Sequence, residues 1–261
     1  MAAPPTSALP VDRLAALGDA VCIFAHPDDE TYLCAGAMAA LRRAGHRVVC
    51  VTATRGEGGG QEDPVRLAER RTRELDRALA VLGVDEHTWL DVPDGRCADV
   101  PARPLVDRLE RILHSVRPRT VLTFGPDGIT GHPDHIAVGA WAAAAVAAAG
   151  SDGGRLLEAA VTVDQRSRFG GIEDALGVHV GEPAAPTPDA DLAVHAVLDG
   201  DLLDRKLAAL AALASQTEAV RDEMGAEAYR DWVAVEAFRA ATHAPTITTS
   251  STGRDRQRGT P

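Results

Sequence analysis

Short apolar runs alternate with helix-length segments along residues 20–150, and this alternation constrains the fold more than any other feature of the sequence. Residues 20–25, 47–53 and 120–124 have the length and apolar content of buried strands. Segments with apolar residues at helical spacing lie between these runs. Strands that alternate with helices of crossover length are typical of right-handed βαβ units. The sequence therefore predicts an α/β fold with a mostly parallel sheet and helices on both faces.

The second half of the sequence is less regular than the first. The Gly- and Pro-rich residues 165–190 favour no regular structure, and residues 192–197 favour an edge strand. Further strands are predicted at residues 88–91 and 156–164, and helices at residues 31–44, 64–82, 105–116, 136–149, 202–214 and 226–241. Residues 1–242 are expected to form one domain, of which residues 1–12 are loose. Residues 243–261 are low in hydrophobic side chains, which predicts a disordered tail.

The charge balance excludes some classes of partner. The formal net charge is −11, from 27 Lys and Arg against 38 Asp and Glu. Such an acidic chain argues against a surface for nucleic acid or an anionic membrane, because both need clustered basic side chains. No apolar run is long enough to span a bilayer, and the N-terminal residues lack a basic segment followed by an apolar one. We therefore expect a cytoplasmic protein with neither nucleic acid nor a membrane as its partner.

A cluster of potential metal ligands follows the first predicted strand, in the run His26-Pro27-Asp28-Asp29-Glu30. If Pro27 begins a helical turn, His26 and Asp29 are three residues apart and point to one centre. Asp28 then projects differently and suits a general base. The alternative is an acidic helix start, in which carboxylates favour the helix N-terminus. That alternative leaves the histidine at the end of an apolar strand unexplained.

A second cluster, Gly131-His132-Pro133-Asp134-His135, follows the strand predicted at residues 120–124. One of its two histidines can complete a His-Asp-His metal site while the other stands beside the substrate. The alternative is a turn, because Gly-His-Pro-Asp is common turn chemistry. Two such motifs at strand ends of one sheet are hard to explain as turns, since ligands of open α/β sheets bind beyond the carboxyl ends of strands.

The two motifs together resemble those of the LmbE-like (PIG-L) N-acetylglucosaminyl deacetylases. The resemblance rests on AHPDDE at residues 25–30 and GHPDH at residues 131–135, with weaker matches at TRGEGG (residues 54–59) and Val92–Gly95. It covers roughly residues 18–220. It implies a Rossmann-like three-layer α/β fold with a mostly parallel sheet and a metal site at the carboxyl ends of the strands.

The resemblance also implies roles for individual residues. It assigns three zinc ligands, namely His26, Asp29 and His135. It makes Asp28 the general base. We expect a protonated His132 to stabilise the oxyanion together with zinc, with protonation of the leaving amine falling to His132 or to Asp28. Asp134 is expected to orient His132. Ferrous iron or another divalent metal can replace zinc in such a site, because the ligand types suit both.

Three further residues are expected to bind substrate. Arg71 matches a family position that contacts the substrate, although its charged neighbours favour the rival interpretation of a solvated helix face. Asp94 is expected to bind a hydroxyl group, and Glu57, in a Gly-rich loop, either reaches the pocket or is solvated. Leu213 stands where the family often carries a histidine, which argues against a polar substrate contact in that region.

The resulting prediction is zinc-dependent hydrolysis of an N-acyl amide, in the first place N-acetyl, on a small molecule that contains an amino sugar. Acetate and a free amine would be released. The alternatives are an amidase for a larger thiol-sugar conjugate or an antibiotic intermediate, and a metallo-esterase. A binding module without catalysis is a third, which Asp28 and His132 disfavour because such a module needs neither.

Overall fold

The computed structural model describes residues 11–241 and places seven strands in one sheet. In chain order they are β1 (Ala20–Phe24), β2 (Val48–Thr52), β3 (Glu86–Trp89), β4 (Thr120–Thr123), β5 (Arg155–Ala159), β6 (Leu192–Val197) and β7 (Val235–Ala240). Their order across the sheet is β3-β2-β1-β4-β5-β7-β6. The first five strands pair in parallel, and β7 pairs antiparallel with β5 and β6. The predicted α/β fold with a mostly parallel sheet is confirmed.

Helices connect the strands and cover the sheet. The α-helices within the described residues are α1 (Asp29–Arg43), α2 (Pro64–Leu82), α3 (Ala102–Val116), α4 (Gly128–Gly131), α5 (Pro133–Ala149), α6 (Val163–Ala175), α7 (Gly200–Ala212), α8 (Ala214–Met224) and α9 (Ala226–Val233). Helices α1, α2 and α7 pack against one another, and α3 packs against α5. The chain crosses from β1 to β2 in one direction and from β4 to β5 in the other, so right-handed crossovers place α1 and α5 on opposite faces.

Local sequence signals set the bounds of α2, which agree with the prediction at both ends. The Asp63 carboxylate accepts a hydrogen bond from the Arg66 N–H, and Pro64 occupies the first helical position. Gly83 ends the helix in the left-handed region, at φ 75°. Strands β1 and β2 are covered on both faces of the sheet, because all five residues of each strand are buried.

The larger errors of the prediction fall in the second half of the chain, where α8 was not predicted, whereas β3 in the first half lies two residues before its predicted position. Residues 165–190 include α6, whose start is fixed by reciprocal hydrogen bonds between Thr162 and Gln165 that outweigh the glycines inside the helix. The helix predicted at residues 226–241 ends at Val233, because the next residues pair as β7 between two other strands. The strand predicted at residues 156–164 ends at Ala159.

The terminal predictions fall largely outside the described residues. The tail at residues 243–261 lies outside them, as do residues 1–10. A 3-10 helix spans Val11–Leu17, and most of the segment predicted to be loose, residues 1–12, lies outside the described residues. Among the described helices, none has the length and apolar character needed to cross a membrane.

The strand order determines where the two sequence motifs meet. Strands β1 and β4 are neighbours, and the chain leaves them toward opposite edges of the sheet. The loops beyond their carboxyl ends therefore face each other across the point where the strand order reverses, which is where open α/β sheets bind ligands. His26 follows β1, and the segment from residue 128 to residue 135 follows β4.

Candidate active site

Backbone interactions fix the two motifs at the strand ends. The His26 N–H donates to the Asp29 carboxylate at 2.8 Å, which closes the turn that leads into α1. On the facing motif, the Nδ1 atom of His132 accepts a hydrogen bond from the Asp134 N–H at 3.1 Å, so His132 caps α5. Pro133 occupies the first position of α5 and places His135 in its first turn. Each potential ligand thus lies on a rigid element or directly beside one.

Three side chains converge with the spacing of a metal-ligand set. His26 Nδ1 lies 3.1 Å from His135 Nε2. Asp29 Oδ1 is 3.4 Å from His135 Nε2, and Asp29 Oδ2 is 3.5 Å from His26 Nδ1. Zinc bonds of about 2.0–2.2 Å in a tetrahedral site require donor atoms about 3.3–3.6 Å apart. The residues present therefore fit a small divalent cation, with positions left for water and substrate.

The second ring nitrogen of each ligand histidine contacts oxygen atoms that orient it. His135 Nδ1 lies 2.9 Å from the carbonyl oxygen of Gly128 and 3.2 Å from the Thr130 hydroxyl. His26 Nε2 lies 3.0 Å from Asp94 Oδ1 and 3.4 Å from an Asp134 oxygen. Such oxygens hold the proton on the far nitrogen and free the near nitrogen for a metal. The tautomers this assigns are Nε2–H for His26 and Nδ1–H for His135.

The carboxylate of Asp134 does not orient His132 as predicted. It accepts hydrogen bonds from the Gly95 N–H at 2.8 Å and from the Cys97 N–H at 3.0 Å, and its remaining contact is with His26. Only the backbone N–H of Asp134 reaches His132. The first turn of α5 points the Asp134 side chain toward the loop after β3, and away from His132, which caps the same helix.

Two other groupings of donors occur near the same centre. One ring nitrogen of His132 lies within 4.8 Å of nitrogens of His26 and His135, and His26 forms a similar group with Asp94 and Asp134. Backbone N–H groups already bind the carboxylates of this second group. The Gly58 N–H donates to the Asp94 carboxylate with an N···O distance of 2.8 Å. We therefore interpret those carboxylates as the supports of His26.

The electrostatics favour a cation at the centre. Burial depresses the pKa of His26, but the carboxylates of Asp134, Asp29 and Asp94 outweigh it and raise that pKa well above its usual value. Burial raises the pKa of Asp29, but His135 and His26 outweigh it and lower that pKa far below its usual value. A set that binds a proton this tightly between imidazoles and carboxylates suits a metal ion that replaces the proton.

Asp28 lies beside the ligand set and pairs with Arg71. Its Oδ2 atom is 3.4 Å from Arg71 Nη2. Burial raises the pKa of Asp28, and the positive charge of Arg71 opposes that rise. Arg71 also donates to the carbonyl oxygens of Gly56 at 2.9 Å and Pro27 at 3.2 Å. Because Arg71 is only 3% exposed, the alternative of a solvated helix face is wrong for this residue.

A polar pocket of about 360 Å³ opens above these residues. Its wall contains Asp28, Arg71, Asp94, His132 and Gln216 as well as the three potential ligands. The structure therefore brings the predicted substrate contacts Arg71 and Asp94 to one wall. Glu57 is not part of that wall, since its carboxylate accepts the Asp94 N–H at 2.9 Å and so supports Asp94 from behind.

Sequence reasoning assigned no role in the site to Glu30, Thr130 or Gln216. Glu30 is fully buried, and burial together with Asp28 and Asp29 raises its pKa to about 8. Its signal was the third acid of the first motif, interpreted only as a helix start. Gln216 follows Ser215, whose hydroxyl binds the Glu74 carboxylate, and this contact directs the start of α8 to the pocket. Leu213 is fully buried in the core, away from the pocket wall.

The comparisons with known proteins identify the family of the chain. Residues 21–146 match the PIG-L family, described as GlcNAc-PI de-N-acetylases. The chain is 33% identical to a 1D-myo-inositol 2-acetamido-2-deoxy-alpha-D-glucopyranoside deacetylase of Kineococcus radiotolerans, over 74% of this chain and 67% of the relative. A protein of the same description from Rhodococcus jostii is 35% identical over 74% of this chain and 80% of the relative. The chain belongs to the PIG-L (LmbE-like) family.

A solved structure supports the fold independently. The N,N'-diacetylchitobiose deacetylase of Pyrococcus horikoshii superposes with a TM-score of 0.62 at 21% identity, over 89% of this chain and 87% of that one. The inositol-sugar deacetylases of Catenulispora acidiphila, two Mycobacterium strains and Corynebacterium jeikeium are matched over less than half of their own length.

Proposed function

We propose that the chain hydrolyses an N-acyl amide on an amino-sugar-containing small molecule, releasing a carboxylate and a free amine, with a divalent metal, in the first place zinc. The observation that carries the proposal is the convergence of His26, Asp29 and His135 at metal-ligand distances with Asp28 beside them. The named relatives are deacetylases of acetamido sugars, which supports the same reaction class.

His26 Nδ1, Asp29 and His135 Nε2 would hold the metal. When bound, zinc supplies Lewis acidity to a carbonyl oxygen and lowers the pKa of water. Asp28 is placed to accept the proton of the water that attacks the amide carbon, because its carboxylate faces the same pocket. Burial raises the pKa of Asp28, and the positive charge of Arg71 opposes that rise and so favours the ionised form. The oxygen–carbon bond forms, the carbon–nitrogen bond breaks, and Asp28 returns the proton to the amine.

His132 acts in this scheme as a neutral hydrogen-bond donor. Burial and the neighbouring His26 and His135 lower its pKa, which disfavours the imidazolium form. Its Nδ1 atom accepts the Asp134 N–H, so the ring proton is on Nε2. A neutral Nε2–H still stabilises the negative oxygen of the tetrahedral intermediate. We therefore assign protonation of the leaving amine to Asp28 and not to His132.

The amine-bearing sugar is assigned to the polar pocket. Arg71, Asp94 and Gln216 present a guanidinium, a carboxylate and an amide in its wall, which match the hydroxyl groups of a sugar. Burying those hydroxyls against apolar surface instead would leave them without hydrogen bonds.

The experiment pairs metal content with product release. Purified protein is analysed for bound metal, then assayed for acetate release from a panel of N-acetylglucosaminyl compounds, with and without a chelator. One zinc per chain with chelator-sensitive release supports the proposal. If metal is bound but neither the panel members nor the matching esters are hydrolysed, the assignment of an N-acetyl sugar is overturned. No metal after reconstitution overturns the mechanism.

A further inference from the structure

A second cavity adjoins the polar pocket at the reacting centre. It has a volume of about 330 Å³, and Asp28, Asp29 and His135 belong to the walls of both spaces. We call it the apolar pocket, since its side walls contain Tyr32, Leu33, Ile129, Leu176, Val220 and Trp232. A substrate whose amide carbon lies at the shared residues therefore has two directions in which to extend.

Three polar side chains in the wall of the apolar pocket, those of Gln165, Glu173 and Glu236, already have protein partners, whereas the buried Nδ1 atom of His179 in that wall has none. Glu173 accepts hydrogen bonds from Arg166 at 3.1 Å and from the Trp232 indole N–H at 2.8 Å. Gln165 accepts the Thr162 N–H at 3.1 Å. The Glu236 carboxylate accepts three donors, namely the Gly36 N–H, the Ala37 N–H and Lys206 Nζ. A sugar in this space would leave hydroxyl groups unpaired, whereas a hydrocarbon chain would not.

The volume of the apolar pocket exceeds the need of an acetyl group. A methyl group is close in size to a water molecule, whose share of liquid volume is about 30 Å³. The cavity of about 330 Å³ is therefore about ten times larger than the methyl of an acetamide. The seven carbons beyond the carbonyl of an octanoyl group occupy about 200 Å³ on the same scale.

Resting on the proposed function, we propose that the apolar pocket binds the acyl chain of the substrate and that the enzyme prefers N-acyl amino sugars with acyl chains of about six to eight carbons over N-acetyl ones. The amine-bearing sugar lies in the polar pocket, and the chain extends past Leu33 toward Leu176 and Trp232. Water adds to the carbonyl carbon, the carbon–nitrogen bond breaks, and the products are a medium-chain carboxylate and the free amino sugar.

The test measures kcat/KM of the metal-loaded enzyme on N-acetyl-, N-butanoyl-, N-hexanoyl- and N-octanoylglucosamine. Each buried methylene is worth up to about fourfold in kcat/KM, so the hexanoyl compound is expected to exceed the acetyl compound by at least about tenfold. Octyl N-acetylglucosaminide, which carries the same chain on the sugar instead of on the nitrogen, is expected to gain nothing.

Matched variants locate the effect. Leu176→Trp fills the apolar pocket and is expected to abolish the gain with chain length while leaving hydrolysis of the acetyl compound. Val163→Trp, at the first residue of the helix that Leu176 follows, is 52% exposed and outside the pocket wall, and is expected to keep the gain. Calorimetric titration with octanamide and acetamide gives a readout without turnover: octanamide should bind wild type at least about tenfold more tightly, and this difference should disappear in Leu176→Trp.

The outcomes separate the two proposals. Hydrolysis of the acetyl compound with a flat or falling chain-length series overturns the acyl pocket and leaves the proposed function in place. A gain from the octyl glycoside that exceeds the gain from the octanoyl amide assigns the apolar pocket to the sugar's substituent and also overturns the inference. No hydrolysis of any member, despite bound metal, is a failure of the proposed function, and equal binding of the two amides then overturns the pocket as well.

Discussion

Asp28 is one residue from a potential metal ligand, and its role is separable from metal binding. Its carboxylate contacts Arg71 and is absent from the three close donor contacts that join His26, Asp29 and His135. We expect Asp28→Asn to retain the metal and to lose about 10²–10⁴-fold in kcat, the usual size of general-base catalysis. The measurement is kcat together with metal content, and Asp28→Asn with near-normal kcat would contradict the assignment.

Arg71 lies beside the proposed base and lowers its pKa. The proposed mechanism requires ionised Asp28, so we expect the activity to fall as the pH falls through the pKa of Asp28. Burial raises this pKa and Arg71 lowers it, so removing the guanidinium raises it further. We therefore expect Arg71→Gln to move the acidic limb of the kcat/KM profile to higher pH.

Arg71→Lys is the control for this pH shift, because it keeps a positive charge and should move the limb less. Circular dichroism checks that both variants fold, since Arg71 also binds two backbone carbonyl oxygens. An acidic limb at the same pH in Arg71→Gln and wild type would show that the ion pair does not tune the base.

The residues whose role depends on distant chain segments could not be predicted from the sequence. The spacing of His26 and Asp29 follows from a local turn, which is why the sequence placed candidate ligands in each motif. The choice of His135 in the second motif came from the family resemblance. The contact of Asp134 with the Gly95 and Cys97 N–H groups depends on how a loop 37 residues away packs. Arg71 is buried because α2 turns Arg71 and Glu74 inward, which the charge pattern of the helix does not reveal.

At the scale of elements, α1 depends on a buried ion pair between a residue of β7 and a residue of α7. The helix is interrupted at Cys34, with φ −146°, and the Glu236 carboxylate of β7 binds the Gly36 and Ala37 N–H groups that follow. Lys206 of α7 neutralises Glu236 at 2.9 Å, with both side chains fully buried. This contact holds the metal-ligand turn, α7 and the antiparallel edge of the sheet in one arrangement.

Removing one partner of this pair should therefore destabilise the fold. We expect Lys206→Met to lower the free energy of unfolding by about 3–5 kcal/mol, because it leaves a buried charge uncompensated. The double variant Lys206→Met with Glu236→Gln should recover part of the loss. Arg205→Met, on the same helix in an exposed pair with Asp201, is the control and should cost less than about 1 kcal/mol. Urea denaturation measures all four proteins, and equal values for the two single variants would refute the role of the buried pair.

Strands β1, β2 and β4 could be predicted because parallel strands covered on both faces read as apolar runs. Strand β7, which lies between β5 and β6, could not. Glu236 places a charge inside that strand, and the charge is tolerated only because Lys206 and two backbone N–H groups meet it there. Without that long-range contact, the same residues continue a helical pattern. Helix α6 was missed for a related reason, since its capping residues lie in a Gly-rich stretch.

At the scale of the whole molecule, the candidate metal site joins both sides of the sheet. His26 and Asp29 come from the β1–α1 connection and His135 from α5 on the opposite face. A metal bound by all three stabilises the folded chain, because unfolding separates its ligands. The same coupling makes metal binding compete with protons, and the raised pKa of His26 places the onset of that competition at a higher pH than an ordinary histidine would.

We therefore expect zinc to raise the melting temperature of metal-free protein, and acid to diminish the increase. Zinc at about 100 times its Kd adds about 2.7 kcal/mol of stability, which for a chain of this size corresponds to about 5–10 °C. The sign follows from the pKa: as the pH falls through the raised pKa of His26, the proton displaces the metal and the zinc-dependent increase disappears. Differential scanning calorimetry with and without zinc, across pH, measures this. Asp28→Asn should keep the increase, whereas His26→Ala and His135→Ala should lose it. An increase that survives in both histidine variants would place the metal elsewhere in the molecule, because no ligand set centred on these two imidazoles tolerates the loss of either.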